Sequence, residues 1–259
     1  NTPRQINIFR ALGAELPAFA HVPMILGADG ERLSKRHGAV SVTQYRDDGY
    51  LPEAVLNYLA RLGWSHGDEE VFSMGQLVEW FDLAHVSKSP ARFNPEKLGW
   101  LNQQYLKIAD DTRLADLARP FLATDGCDPS TGPDLACVIG LLKERVSTIE
   151  ELADAAVYFY RALKPTAALR EQHYAADIRA PMQALRDRLA TVAWSRDAIG
   201  AAVKAVVGEF KVKFPRIAMP LRVMVAGGPQ TPSIDAVLEL IGRDEVLRRM
   251  DVELAEFPQ

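Results

Sequence analysis

The sequence predicts a mostly α-helical protein that carries a short β remnant near its start. Three observations lead there. Amphipathic stretches with helix-start signals recur after residue 50, strand-like runs are confined to HVPMIL at 21–26 and AVSV at 39–42, and the opening NTPRQINIFRALG reads as a helix end leading into a strand. That opening lacks the basic start, apolar centre and small-residue cleavage site of a secretory signal, and with Asn1 in first place it reads as a chain entered midway.

The elements follow in chain order. Met24-Ile25-Leu26 reads as a strand ended by the turn Gly27-Ala28-Asp29-Gly30. Pro52 opens PEAVLNYLARLGW, with Val55, Leu56, Leu59 and Leu62 on one stripe and Gly63 as its stop. Ser73 and Gln76 spell a capping box for SMGQLVEWF, since a hydroxyl takes an orphan amide while the Gln side chain reaches back. Asn94 and Pro95 start NPEKLGWLNQQYL, Thr148 and Glu151 cap IEELADAAVYFYRAL, and Ser195 opens SRDAIGAAVKAVVGEF. In KVKFPRIAMPLRVMVAGGPQTPS the apolar stripe is Ile217, Leu221 and Val225; Pro220 should kink the helix, Gly227-Gly228-Pro229 ends it, and Thr231 or Ser233 caps the next. Trp64, Trp80, Trp100 and Trp194 lie in apolar helical contexts and are expected in the core. Seams are expected at residues 125–134 and 164–166, where Gly, Pro and Asp interrupt the helical runs.

Composition narrows the function classes. A chain of 259 residues with 48% hydrophobic and 25% charged residues buries a real core, is expected to form more than one domain, and is neither disordered nor fibrous. No apolar stretch approaches the roughly 20 residues needed to cross a bilayer, so no membrane partner is expected. Cys127 and Cys137 have no second pair and no histidine at ligand spacing, so neither zinc nor a disulfide framework is expected, and two plain thiols fit a reducing cytoplasm. The net charge of −4 argues against a protein that coats nucleic acid, yet residues 143–222 hold fourteen Lys or Arg against nine Asp or Glu, a local +5 that leaves −9 elsewhere. Such asymmetry steers a polyanion to one end, or else reflects solvated helix faces.

The stretch ILGADGERLSKRHGAV presents Arg32, Ser34, Lys35 and Arg36 on a turn closed by Gly38. Three cations within five positions suit an anion such as phosphate, and they also suit a solvated hairpin tip.

The order R-L-S-K-R-H-G-A resembles the second signature loop of class I aminoacyl-tRNA synthetases in the form found in bacterial glutamyl-tRNA synthetases. The likeness continues through SVTQYRDDGYLPEAVLNYLARLGW, VSKSPARFNPEKLGWLNQQYL and MPLRVMVAGGPQTPS. The resemblance implies a remnant of a class I nucleotide-binding α/β domain at 1–30 and a signature loop with an α-helical stem-contact region at 31–108. Two all-helical anticodon-binding subdomains are implied at 109–165 and 166–259. It implies a ligase that activates glutamate with ATP and Mg2+ and transfers it to tRNA(Glu), acting as a monomer without a DNA partner. Lys35 would contact the ATP phosphates, with Arg32 in the place of a first signature lysine and Ser34 and Arg36 in support. The earlier His-x-Gly-His loop and the glutamate pocket are not in this sequence, and His21-Val22-Pro23 is not that loop. The chain therefore looks like the C-terminal portion of such an enzyme, expected not to aminoacylate tRNA by itself.

Arg145 resembles the family arginine that recognises the last anticodon base, where a bulky cation would favour C; the alternative is an ion pair with Glu144 or Glu150. Lys213, Arg216 and Arg222 would meet tRNA phosphates, or form the wet face of a core helix. Apart from the resemblance, a helical nucleic-acid-binding or interaction module without ATP chemistry stays open.

Overall fold

Caps and amphipathic periodicity build helices throughout. The computed structural model describes residues 1–27, 29–33 and 41–258. Its helices are α1 (Thr2–Ala11), α2 (Val42–Asp47), α3 (Pro52–Gly63), α4 (Met74–Trp80), α5 (Pro95–Ile108), α6 (Asp111–Thr124), α7 (Leu135–Leu142), α8 (Ile149–Tyr160), α9 (Ala167–His173), α10 (Ala176–Leu189), α11 (Arg196–Glu209), α12 (Phe214–Ala226), α13 (Ile234–Ile241) and α14 (Arg243–Leu254). The β remnant is one parallel pair, β1 (Ile25–Leu26) against β2 (Ala91–Arg92). The chain divides into two units, one of residues 1–45 and 52–101 and one of residues 46–51 and 102–259.

In the first unit, α3 buries Ala54, Val55 and Tyr58 together with Asn57, whose amide donates to the Glu70 carbonyl at 3.1 Å and accepts from the Phe72 N–H at 3.1 Å. A polar residue thus occupies the core face with both functions paired. Leu56, expected on that face, is 45% exposed, because the helical stripe that packs runs one position off the expected one. The expected capping box at α4 forms in both directions, Gln76 N–H to Ser73 Oγ at 3.2 Å and Ser73 N–H to Gln76 Oε1 at 2.8 Å. The strand expected over 39–42 fails where it can be checked: Val42 opens α2, with Ser41 Oγ accepting the Thr43 N–H. A four-residue alternation is outweighed there by a helix start.

The second unit is all-helical. Thr148 caps α8 through the Glu151 N–H at 3.1 Å, and Ser195 caps α11 through Ala198. The short segment 46–51 joins this unit through backbone contacts: the Gly49 carbonyl accepts from Ile149 N–H at 2.8 Å, and Leu51 N–H donates to Asn102 Oδ1 at 2.9 Å. At Gly49 (φ +79°) a Cβ would stand 2.6 Å from the Glu150 nitrogen, so only glycine permits this approach. α12 runs through Pro220, whose ring is buried, so packing offsets the lost backbone bond. It ends at Gly227 in the left-handed region (φ +76°), as expected.

Trp64 is buried, Trp80 and Trp194 are half-buried, and Trp100 is 46% exposed. The last departs from expectation because Leu98, Leu101, Asn102 and Tyr105 occupy the buried stripe of α5, leaving position 100 on the other face. Among the described residues no helix is long and apolar enough to cross a membrane, and no group of three His, Cys, Asp or Glu side chains could hold a metal ion.

Candidate nucleic-acid interface

The turn after β1 is built by its backbone. Gly27 N–H donates to the Glu31 carbonyl at 2.8 Å, Leu33 N–H to the Ile25 carbonyl at 2.9 Å, and Asp29 Oδ1 accepts from Glu31 N–H at 3.0 Å. Leu26 and Arg32 form an antiparallel bridge across it, leaving the Arg32 residue exposed. Ser34, Lys35 and Arg36 lie outside the described residues.

Arg145 ends a 3-10 turn, Lys143–Arg145, between α7 and α8. Lys143 is committed inward, its Nζ 2.8 Å from both Asp111 Oδ1 and the Ala109 carbonyl. Arg145 is the opposite: exposed, and without a hydrogen bond or ion pair among the described residues, so neither Glu144 nor Glu150 takes it. Its charge acts on two neighbours. One is the Tyr158 phenol on α8, 7% exposed, with no partner for its hydroxyl among the described residues; burial pushes its pKa up, and Arg145 draws it partly back. The other is Arg222 on α12, whose guanidinium is held below its ordinary pKa by burial first and Arg145 second, against Asp235.

Arg222 is not a free surface cation. Its Nε donates to Thr231 Oγ1 at 2.9 Å and its Nη2 to the Pro232 carbonyl at 3.3 Å, which ties α12 to the segment before α13. Lys213 is exposed at the start of α12, and Arg216 pairs with Asp177 at 2.5 Å. Lys213 and Arg216 line one surface groove of about 270 Å³ together with Gln172 and His173. The structure therefore brings Arg145 and Arg222 into one electrostatic neighbourhood, and Lys213 and Arg216 into one groove.

Residues 113–254 match the family model described as anticodon binding domain. The chain belongs to the anticodon-binding domain family. Residues 1–100 match a second model, tRNA synthetases class I (E and Q), catalytic domain. The chain is 67% identical to a glutamate-tRNA ligase of Nitrosospira multiformis, covering 99% of this chain and 56% of that protein, and 63% identical to the one from Nitrosomonas eutropha, covering 100% and 56%. It thus spans little more than half the length of these curated relatives. Among solved structures, a glutamate tRNA ligase from Elizabethkingia meningosepticum in complex with its amino acid superposes with TM-score 0.84 at 26% identity, over 98% of this chain and 54% of that one. A glutamate-tRNA synthetase from Elizabethkingia anophelis gives TM-score 0.79 at 28% identity, over 96% and 53%.

The anticodon-binding domain also holds a residue that sequence reasoning missed. Arg249 on α14 is 4% exposed; its Nη1 donates to the Tyr158 carbonyl at 2.7 Å and the Val225 carbonyl at 2.6 Å, while its Nε donates to Glu245 at 2.7 Å. Both carbonyls lie in last helical turns, of α8 and α12, where the helix itself supplies no donor. A cation set at two helix C-terminal ends also meets the negative ends of both dipoles. Arg249 thereby fixes the helices that carry Tyr158 and Arg222. In sequence it sits in RRMDVEL, indistinguishable from a surface arginine.

Proposed function

We propose that this chain is the C-terminal part of a bacterial glutamate-tRNA ligase and supplies its grip on tRNA(Glu). The observation that carries the reading is Arg145: an exposed guanidinium with no internal partner, inside the segment that matches the anticodon-binding model. Single-stranded loops are read by cations and planar groups that meet unstacked bases, and an arginine already neutralised by a carboxylate would be poorly suited to that. Arg145 reads the last anticodon base, Arg222 shapes the same site, and Lys213 and Arg216 line a groove that takes backbone phosphate. The subdivision at 108/109 and 165/166 separates the stem-contact region from the two anticodon-binding subdomains.

In the whole ligase the turn with Arg32, Ser34, Lys35 and Arg36 meets ATP, which enters with Mg2+. A glutamate carboxylate oxygen attacks the α-phosphorus, pyrophosphate leaves, and the acyl group passes to a tRNA hydroxyl with release of AMP. Lys35 lowers the barrier by meeting negative charge that builds on the phosphate oxygens. The chain acts in the cytoplasm as a monomer.

Fluorescence anisotropy of labelled tRNA(Glu) with the purified chain tests the RNA reading. Binding should weaken as salt rises, and Lys213→Ala should lower affinity about two- to fivefold while reducing the magnitude of the log–log salt slope by about one. Absence of tRNA binding at low salt refutes it.

A further inference from the structure

Arg216 differs from Lys213 in the groove they share. Lys213 is exposed with no ion pair among the described residues, whereas Arg216 Nη2 meets Asp177 Oδ2 at 2.5 Å. The guanidinium makes no other hydrogen bond among the described residues, so most of its five donors are unused by the protein. Both side chains are open to water, Arg216 at 48% and Asp177 at 66% exposure, so a ligand reaches them. Other arginine pairs of this unit are held differently. Glu253, which pairs with Arg170, is 6% exposed and also accepts from Tyr174, and Arg186 grips both oxygens of Asp251. A single contact between two exposed groups is the arrangement that contributes least in water and is easiest to exchange.

We propose that Asp177 is a specificity-determining mask on this groove: it occupies Arg216 against loosely held polyanions and yields it only to a phosphate that a docked RNA sets in the groove. This rests on the RNA reading above. Every nucleic acid offers phosphate, so a free cation raises affinity for all of them alike. A carboxylate at 2.5 Å cancels the Arg216 charge at long range and repels a phosphate that only brushes the surface. A phosphate seated beside Lys213 offers more, because it accepts from the guanidinium as a fork while the ammonium supplies a second charge. Asp177 then turns to water at little cost. Wrong partners are thereby disfavoured by an opposing charge, without a new contact to the right one. Asp177 also lies in the first turn of α10, where an acid suits the helix dipole; that explains an acid at this position and leaves its pairing with a groove cation unexplained.

The test compares Asp177→Asn with the wild-type chain, using fluorescence anisotropy across a salt series with labelled tRNA(Glu) and a labelled single-stranded oligouridylate. On oligouridylate at low salt the variant should bind about two- to fivefold more tightly, and its log–log salt slope should steepen by about 0.7, the release of one more counterion. On tRNA(Glu) the slope should be unchanged and the affinity within about twofold of wild type, because Arg216 is engaged there with or without the mask. In an Arg216→Gln background, Asp177→Asn should change neither slope. The variant also loses an acid from the start of α10 and its urea midpoint should fall slightly, but lost stability cannot steepen a salt slope, so the slope separates the two roles. No gain on oligouridylate, an equal change of slope on both RNAs, or a gain that survives in the Arg216→Gln background overturns the proposal while leaving RNA binding standing. A wild-type chain that does not bind tRNA(Glu) at low salt removes the RNA reading and this inference with it.

Discussion

Replacing Arg249 by methionine tests whether one buried cation holds the α8 and α12 ends together. Methionine fills the aliphatic stem, so the loss is of donors rather than of volume. Two buried carbonyls, Tyr158 and Val225, then have no donor from their own helices; leaving each unpaired costs about 1–3 kcal/mol. Glu245 keeps Arg248, at 2.6 Å, so its charge is not orphaned and adds little. Removing the guanidinium also relieves its own burial, which is what holds the Arg249 pKa down. The balance is a destabilisation of about 3–5 kcal/mol, a large share of the roughly 5–15 kcal/mol available to a folded domain. Urea unfolding followed by far-UV circular dichroism measures it as a shift in midpoint at constant slope. Arg249→Lys should recover only part of the loss, because an ammonium cannot reproduce the planar fork that serves Glu245 and the two carbonyls together. A loss below about 1 kcal/mol for methionine would refute the clamp.

Acid should weaken the same corner of the fold. Arg248 first, and Arg249 after it, hold the Glu245 carboxyl at about 2 against its ordinary 4.5, with burial opposing them. A folded-state pKa lowered in this way gives stability that is complete above about pH 4.5 and lost as pH falls toward 2; with the side chain 34% exposed, screening reduces it to about 1–2 kcal/mol. Urea midpoints of wild type and Glu245→Gln should differ at pH 6, with the difference shrinking below about pH 4.5 and closing only near pH 2, and a constant difference would count against the pair. Gly227→Ala should cost about 2–4 kcal/mol, because the residue sits at φ +76° and its new Cβ would lie 2.6 Å from Leu163 Cβ. A thermal midpoint equal to wild type would show that the α12 end relaxes freely.

What was legible in the sequence was local. The Ser73 and Thr148 caps, the Gly227 stop and the turn after β1 each follow from a few neighbouring residues, and each formed as read. Position on a helix face was harder: Leu56 and Trp100 look like core residues until a partner decides which stripe is covered. Asn57 and Asn102 show the converse. Both are almost fully buried because backbone groups of Glu70, Phe72, Leu51 and Ser147 meet their amides, partners 13 to 51 residues away that no local pattern announces. Within the candidate interface, the resemblance points to Arg145, while its exposure without an ion pair among the described residues is a fact of the fold. That Arg222 is anchored internally, and that Arg249 serves two helix ends, depends on packing alone.

The same distinction changes what the charge distribution means. Counted along the chain, residues 143–222 carry an excess of five positive charges and the remainder an excess of nine negative ones, which suggests a basic end and an acidic end. Folding mixes them. Arg170 pairs with Glu253 at 2.8 Å, Arg186 with Asp251 at 2.7 Å and Arg196 with Asp235 at 3.2 Å, each drawing its carboxylate from outside the basic segment. Arg188 and Arg216 are paired within it. Arg145, Lys204 and Lys213 are among the exposed cations with no such pair among the described residues, and on the RNA reading proposed above they carry charge that no carboxylate has already neutralised. A few free cations give weak long-range attraction, which falls off within a Debye length of about 8 Å at physiological salt. On that reading discrimination between RNAs comes from short-range geometry at the bases, and that is why a single lysine is expected to move affinity only a few-fold.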